Sequence, residues 1–184
     1  MRFSIWLAIQ WWRLKNWKAG WRAFWLGEDN GDGRVSFRGD LAAKVTRSDG
    51  SVLDLGRISS RMVTTAGVNY MRDDFNAATG GADIGNFNWH DSGTGAVAEA
   101  VGDTALGAAA GPARVAGTQS APAAKQYRTV ATIAYTATLA ITEHGIFSAS
   151  TVGTLWDRSV FAAINVVNGD SIQFTYTLTI SDGG

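Results

Sequence analysis

Two histidines, a handful of carboxylates and no cysteine carry whatever side-chain chemistry this 184-residue chain could perform. His90 precedes Asp91 and the run Ser92-Gly93-Thr94-Gly95, a grouping that evokes a hydrolytic triad or a phosphate loop. Neither G-x-S-x-G nor G-x-x-x-x-G-K-S/T is present, so the sequence offers no nucleophile elbow and no phosphate-binding lysine. Glu143-His144 and Asp157-Arg158 are polar pairs set inside apolar runs. Neighbouring residues on a strand face opposite sides, so neither pair can act together on one atom. Glu143-His144-Gly145 predicts instead a bulge or an interface edge, and Asp157 and Arg158 each predict a cross-strand partner. The absence of Cys removes disulfides, thiolate metal sites and thiol nucleophiles together. No residue constellation points to catalysis, and the expectation is a protein that is not an enzyme.

One segment has the spacing of a cation loop. Glu28, Asn30 and Asp32, followed by Gly33, occupy alternate positions of a D-x-D/N-x-D/N-G pattern, and the stretch resembles the calcium loop of dockerin-type repeats. Oxygen ligands spaced by two, with Gly at the bend, suit a hard cation. Position 1 is Glu rather than Asp, and Gly39 stands where the closing bidentate carboxylate belongs. The expectation is therefore a polar Gly-rich linker over residues 27–40, with calcium as the only cofactor worth testing.

The elements that must position these residues fall into two parts. Residues 1–26 contain six of the eight Trp, five basic side chains and no acid. Wound as a helix, Phe3, Trp6, Leu7, Leu14, Trp17, Trp21, Phe24 and Trp25 lie within about 100° of one another, with Trp11 on the flank. Basic side chains interrupt the apolar runs, so this is neither a secretory signal nor a span of about 20 apolar residues. Such a helix can dock on protein or bundle with its copies, pack on its own domain, or lie in a membrane interface. Protein docking is the favoured expectation, because Trp is the strongest interface anchor.

The second part, residues 41–184, reads as strands. Residues 41–56 form a hairpin about Asp49-Gly50, a type I′ turn signal. Thr64 and Thr65 cap a helix running to about residue 77, with Val68, Met71 and Phe75 on one face. Ile84, Phe87 and Trp89 mark a strand. Residues 93–124 are small and flexible, with a short helix at 98–106 and a short strand at 112–118. Residues 126–136, 139–148, 155–166 and 171–181 follow as four strands. In the last, Ile172, Phe174, Tyr176, Leu178 and Ile180 alternate with polar residues, the pattern of a half-buried antiparallel strand. Seven to nine short strands predict a mainly β fold: an antiparallel β-sandwich, jelly-roll or immunoglobulin-like, with one short internal helix besides the Trp-rich one.

Charged residues make up 17% of the chain, below the roughly 25% of ordinary soluble domains. The 16 basic and 16 acidic side chains cancel, which argues against a nucleic-acid partner. They are unevenly placed: residues 1–72 hold 12 basic and 6 acidic side chains, residues 73–184 hold 4 and 10. One half of a copy could thus face the opposite half of a neighbour over short distances.

Several phrases are more specific than any of these patterns. They are V-T-T-A-G-V (Val63–Val68), G-T-G-x-x-A-E-A-x-x-D-T-A-L (Gly93–Leu106), A-I-T-E-H-G-I-F (Ala140–Phe147), L-x-D-R-S-V-F (Leu155–Phe161) with I-N-V after it, and G-D-S-I-Q-F-T-Y (Gly169–Tyr176). In these phrases residues 61–105 and 127–184 resemble a family of tailed-bacteriophage virion structural proteins. The resemblance implies a head-decoration or cement protein, or a tail, neck or fibre component, on the exterior of the particle. It implies the major capsid protein or other virion proteins as partners, with self-association as a dimer or trimer. A glycan-binding role in host recognition is the rival, favoured if Trp89 or Trp156 forms an exposed aromatic platform. The family brings no catalytic residue set, and residues 1–26 lie outside the resemblance.

Overall fold

A computed structural model describes residues 35–61, 63–75 and 83–182. The aromatic stripe from Phe3 to Trp25 and the loop of Glu28, Asn30 and Asp32 lie outside the described residues. The chain divides into two compact units, one of Met1–Ser36 with Ser181–Gly184 and the other of Phe37–Ile180. Of the first unit only residues 35–36 and 181–182, the outer ends of two strands, are described.

The second unit is mainly β, with 53% of the described residues in strands. In chain order these are β1 (Val35–Thr46), β2 (Val52–Arg61), the helix α1 (Thr65–Phe75), a 3-10 turn (Ile84–Asn86), β3 (Trp89–Gly93), β4 (Val115–Ala116), β5 (Thr118–Ser120), β6 (Gln126–Ala134), β7 (Leu139–Phe147), β8 (Leu155–Val166) and β9 (Ser171–Asp182). They form two antiparallel sheets, one ordered β2-β1-β9-β6-β5 and the other β4-β3-β7-β8. Residues 115–120 cross from one sheet to the other. Val115 and Ala116 pair with β3, Thr118–Ser120 pair with β6, and Gly117 is the point of transfer.

Alternation in the strands builds one core from both sheets. Ile172, Phe174, Tyr176 and Leu178 of β9 are buried, as are Leu41, Ala43 and Val45 of β1 and Ile133 of β6. They pack in the same cluster as Ile141 and Ile146 of β7 and Trp156, Ile164 and Val166 of β8. Burying these side chains contributes roughly 1.5–3 kcal/mol apiece, which is why the two-residue period dominates the fold.

The structure corrects several local expectations. β1 starts at Val35, so residues 35–40 of the expected linker are strand. The hairpin turn is not type I′: only Gly50, at φ +83°, is left-handed, and the Gly50 N–H donates to the Arg47 carbonyl at 2.9 Å while the Arg47 N–H donates to Ser51 at 2.8 Å. This is a type I turn closed by a left-handed Gly, which needs one positive φ rather than two. Ile84 lies in the 3-10 turn, where the Asp83 carboxylate accepts from the Gly85 N–H, and the strand begins only at Trp89. Residues 98–106 form no helix; a turn there is closed by the Asp103 N–H donating to the Ala100 carbonyl at 3.0 Å.

Helix α1 forms where its caps predict, but of the expected face only Met71 packs against the core, beside Tyr70. The Thr64 hydroxyl donates to the Leu155 carbonyl at 2.6 Å and accepts from the Gly67 N–H at 3.0 Å. Val68 and Phe75 are exposed, the latter at 86%. Gly67 is the buried residue, and a Cβ there would stand 2.8 Å from Trp156 Cε3 and 3.1 Å from the Trp156 backbone. The helix therefore needs a residue without a side chain at its contact. Gly67→Val is expected to destabilise the protein by about 1–3 kcal/mol through overpacking, despite removing a helical glycine. Thermal unfolding of the variant measures it; an unchanged midpoint would mean that α1 does not rest on Trp156.

Candidate functional site

The polar residues singled out in the sequence gather into three clusters around the four-stranded sheet. The first is a carboxylate cradle on β7. Glu143 is fully buried, and its Oε1 accepts the N–H groups of Gly95 at 2.9 Å and Ala108 at 2.7 Å. Its Oε2 accepts the Gly107 N–H at 2.9 Å and the Arg158 Nε and Nη2 groups at 2.8 and 2.7 Å. Arg158 of β8 also donates to Asp103 at 2.9 Å and to the Val97 carbonyl at 3.1 Å. Thr142 donates its hydroxyl to the Gly95 carbonyl. A Cβ on Gly93 or Gly95 would fall on Glu143 Oε1, so the loop can close on the carboxylate only where it carries glycine. Residues 93–110 are thus pinned over the sheet by one buried carboxylate and one guanidinium.

A break in the β7–β8 register brings this about. Ile141 pairs with Ile164 and Glu143 with Val160, so Thr142 alone stands opposite three residues of β8. The bulge expected at Glu143-His144-Gly145 lies instead at Thr142, since those three residues pair in regular register with Val160, Ser159 and Arg158. Ile141 and His144 reach the core while Glu143 meets the loop. Burial by itself raises the Glu143 carboxyl, but the N–H groups of Ala108 and Gly107, the Arg158 guanidinium and the Gly95 N–H together hold it below the ordinary glutamate value. For Asp103 too, burial is outweighed, here by the Ala100 N–H and Arg158, and the group is lowered.

The second cluster lies in the core. His90 of β3 and His144 of β7 are 0% and 1% exposed, with His90 Nδ1 3.0 Å from His144 Nε2. His90 Nε2 is 3.1 Å from the Thr129 hydroxyl, and the His144 ring stacks at 4.5 Å on Phe174. Asp91 points the other way and pairs with Arg114 at 3.1 Å; Arg114 lies over the Phe147 ring and holds the Ala149 and Val152 carbonyls. Ser92 accepts from Tyr135 at 3.0 Å. His90, Asp91 and Ser92 therefore form no relay.

The third joins the sheets. Trp156 donates its indole N–H to the Tyr176 hydroxyl at 3.0 Å, and Tyr176 reaches Asp157 at 3.4 Å, which also accepts from Ser159. Trp156 and Asp157 both reach this hydroxyl because the β7–β8 register shifts again between Ile146 and Phe147. Arg158 and Asp157 do face different partners, as their adjacency predicts.

Among the described residues no group of three or more His, Asp and Glu could hold a metal ion. No described helix is long and apolar enough to cross a membrane. Among the described residues a hollow of about 550 Å³ lies between the Arg47–Asp49 turn and the ends of β7 and β8. Its cation is already engaged, since Arg47 donates to Asp170 and to the Asn165 carbonyl. Sequence reasoning misses Asp103 and the Gly95, Gly107 and Ala108 N–H groups as partners of Glu143. Their signal is the Gly-x-Gly and Asp-Thr-Ala-Leu spacing, which names a built loop without naming what it closes on.

No protein-family model matches the chain, and no curated protein matches it.

Proposed function

We propose that this protein is a non-enzymatic structural component of a tailed-bacteriophage particle, built as an antiparallel β-sandwich and serving as a decoration or cement protein on the outside of the head. One observation carries the reading. The phrases behind the resemblance fold onto one another: Glu143 and Arg158 clasp the Gly93–Leu106 loop, and Thr64 of the V-T-T-A-G-V phrase bonds the Leu155 and Trp156 carbonyls. Glu143 accepts five donor contacts, which leaves its lone pairs to the scaffold and none to a substrate. Such residues serve architecture rather than turnover.

The glycan-binding rival needs an exposed aromatic platform. Trp156 is buried and Trp89 half-buried, so neither offers the fully exposed platform that this rival needs. The partners we propose are the major capsid protein and sister copies, with residues 1–26 as the anchor. Roughly five aromatics of that stripe would bury about 1,000 Å² against a partner, ample for permanent attachment.

Counting copies in purified particles tests the assignment. Hundreds per particle are expected; a small symmetric set at one vertex would make it a tail or neck part, and none would remove it from the virion. Deleting residues 2–26 is expected to leave a folded β domain that no longer incorporates. Normal occupancy of the truncated protein would overturn the anchor.

A further inference from the structure

We propose that the His90–His144 pair is an acid-sensitive latch that helps hold β3 to β7 and fails once both rings are charged. The two imidazoles meet nitrogen to nitrogen at 3.0 Å, so one must donate and the other accept. With one added proton the pair can stay bonded, imidazolium donating to imidazole. When both rings are charged, both facing nitrogens are donors, the bond is lost and two like charges face each other inside the core. Among the described residues nothing nearby offsets the charge. On β3, Asp91 faces away to Arg114, and on β7, Glu143 faces away to Arg158. On β6, Arg128 donates to Thr177, while Thr129 offers the pair only a hydroxyl. On β9, Phe174 covers His144 and the Tyr176 hydroxyl is taken by Trp156 and Asp157. Tyr135, at the end of β6, is neutral and bonded to Ser92.

Burial pushes His90 down to about 3, and burial together with the neighbouring His90 pushes His144 well below its usual value. Each folded value is depressed, so between the folded value and the ordinary histidine value of 6.5 the unfolded chain binds more protons. The pair's contribution is complete above that ordinary value and is lost as pH falls below it. β3 and β7 also carry the pinned loop: the Thr94 N–H donates to the Ala108 carbonyl and the Ala110 N–H to Ser92, beside the Glu143 cradle. Opening the latch therefore loosens the loop's attachment to β3, while the Glu143–Arg158 clasp on β7 and β8 still holds it.

The test is denaturant unfolding of the full chain from pH 7.5 to 4.5, with imidazole NMR of the folded protein. The unfolding constant is expected to rise about tenfold per pH unit for each ring below about pH 6. His144→Phe, which keeps a ring on Phe174, is expected to halve that dependence on a logarithmic scale. Should that variant not fold, the NMR decides: both rings stay neutral until native signals are lost. A threefold change or less across the range, or a ring titrating near 6.5 in the intact fold, would overturn the latch.

Discussion

Arg158→Ala is expected to cost about 3–5 kcal/mol of folding stability, the range for removing one partner of a buried ion pair. The reason is what stays behind. Glu143 is fully buried, and without Arg158 its Oε2 keeps only the Gly107 N–H while Asp103 loses its cation. An exposed pair of the same geometry would contribute about 1 kcal/mol or less. The Arg158 side chain is 4% exposed, so solvent cannot take over. Chemical denaturation measures the loss, and limited proteolysis locates it: cleavage is expected within residues 93–110 before the strands open. A stability change below about 1 kcal/mol would show that the loop holds itself.

The same cradle has a pH signature distinct from that of the histidines. Glu143 and Asp103 are lowered in the fold, so the stability they contribute is complete above their ordinary values of 4.5 and 3.8 and disappears as pH falls through the lowered ones. Arg158→Ala is expected to flatten this most acidic limb while leaving the limb that starts below pH 6.5. Two separable limbs would distinguish the loop clasp from the core pair.

Trp156→Ala is the second large loss, expected at about 3–5 kcal/mol for an aromatic truncated in a packed core. Trp156 is 2% exposed, lies 4.9 Å from the Phe87 ring and 6.3 Å from Phe37, and forms the floor on which Gly67 rests. Its removal opens a cavity and withdraws the indole donor from Tyr176, whose hydroxyl burial and the nearby Asp157 carboxylate already hold well above the usual tyrosine value. Trp156→Phe keeps most of the volume and loses the N–H, so about 1 kcal/mol is expected for the lost hydrogen bond, since the Tyr176 hydroxyl keeps Asp157. The difference between the two variants separates packing from hydrogen bonding. Near-UV circular dichroism and unfolding midpoints read both. If the two variants were equally mild, α1 and the sheet contact would have to rest elsewhere.

Strand content is legible in the residues because burying one face of a strand imposes a two-residue period that local sequence must obey. The strand over residues 155–166 matches its expected bounds, and those expected at 126–136, 139–148 and 171–181 match to within two residues. Apolar alternation and the Asn168-Gly169-Asp170 turn leave little choice there. The cap at Thr64 is equally local: a hydroxyl and the N–H three residues on are neighbours in any fold. The separation of Glu143 from His144 is local too, since adjacent strand residues point to opposite faces. The face on which α1 docks is not local, because it depends on Trp156, 89 residues beyond Gly67. Residues 98–106 have helix-forming alanines, yet the Asp103–Arg158 and Glu143 contacts outweigh a propensity of a few tenths of a kcal/mol per residue. Local pattern thus dictates which segments are strands and that the chain's polar pairs must split between faces. That Glu143 closes a loop and that His90 meets His144 follows only from the way the strands assemble. Those partners are set by sheet register and a break in it, which couple residues 54 and 36 positions apart through long-range hydrogen bonds that no local pattern encodes.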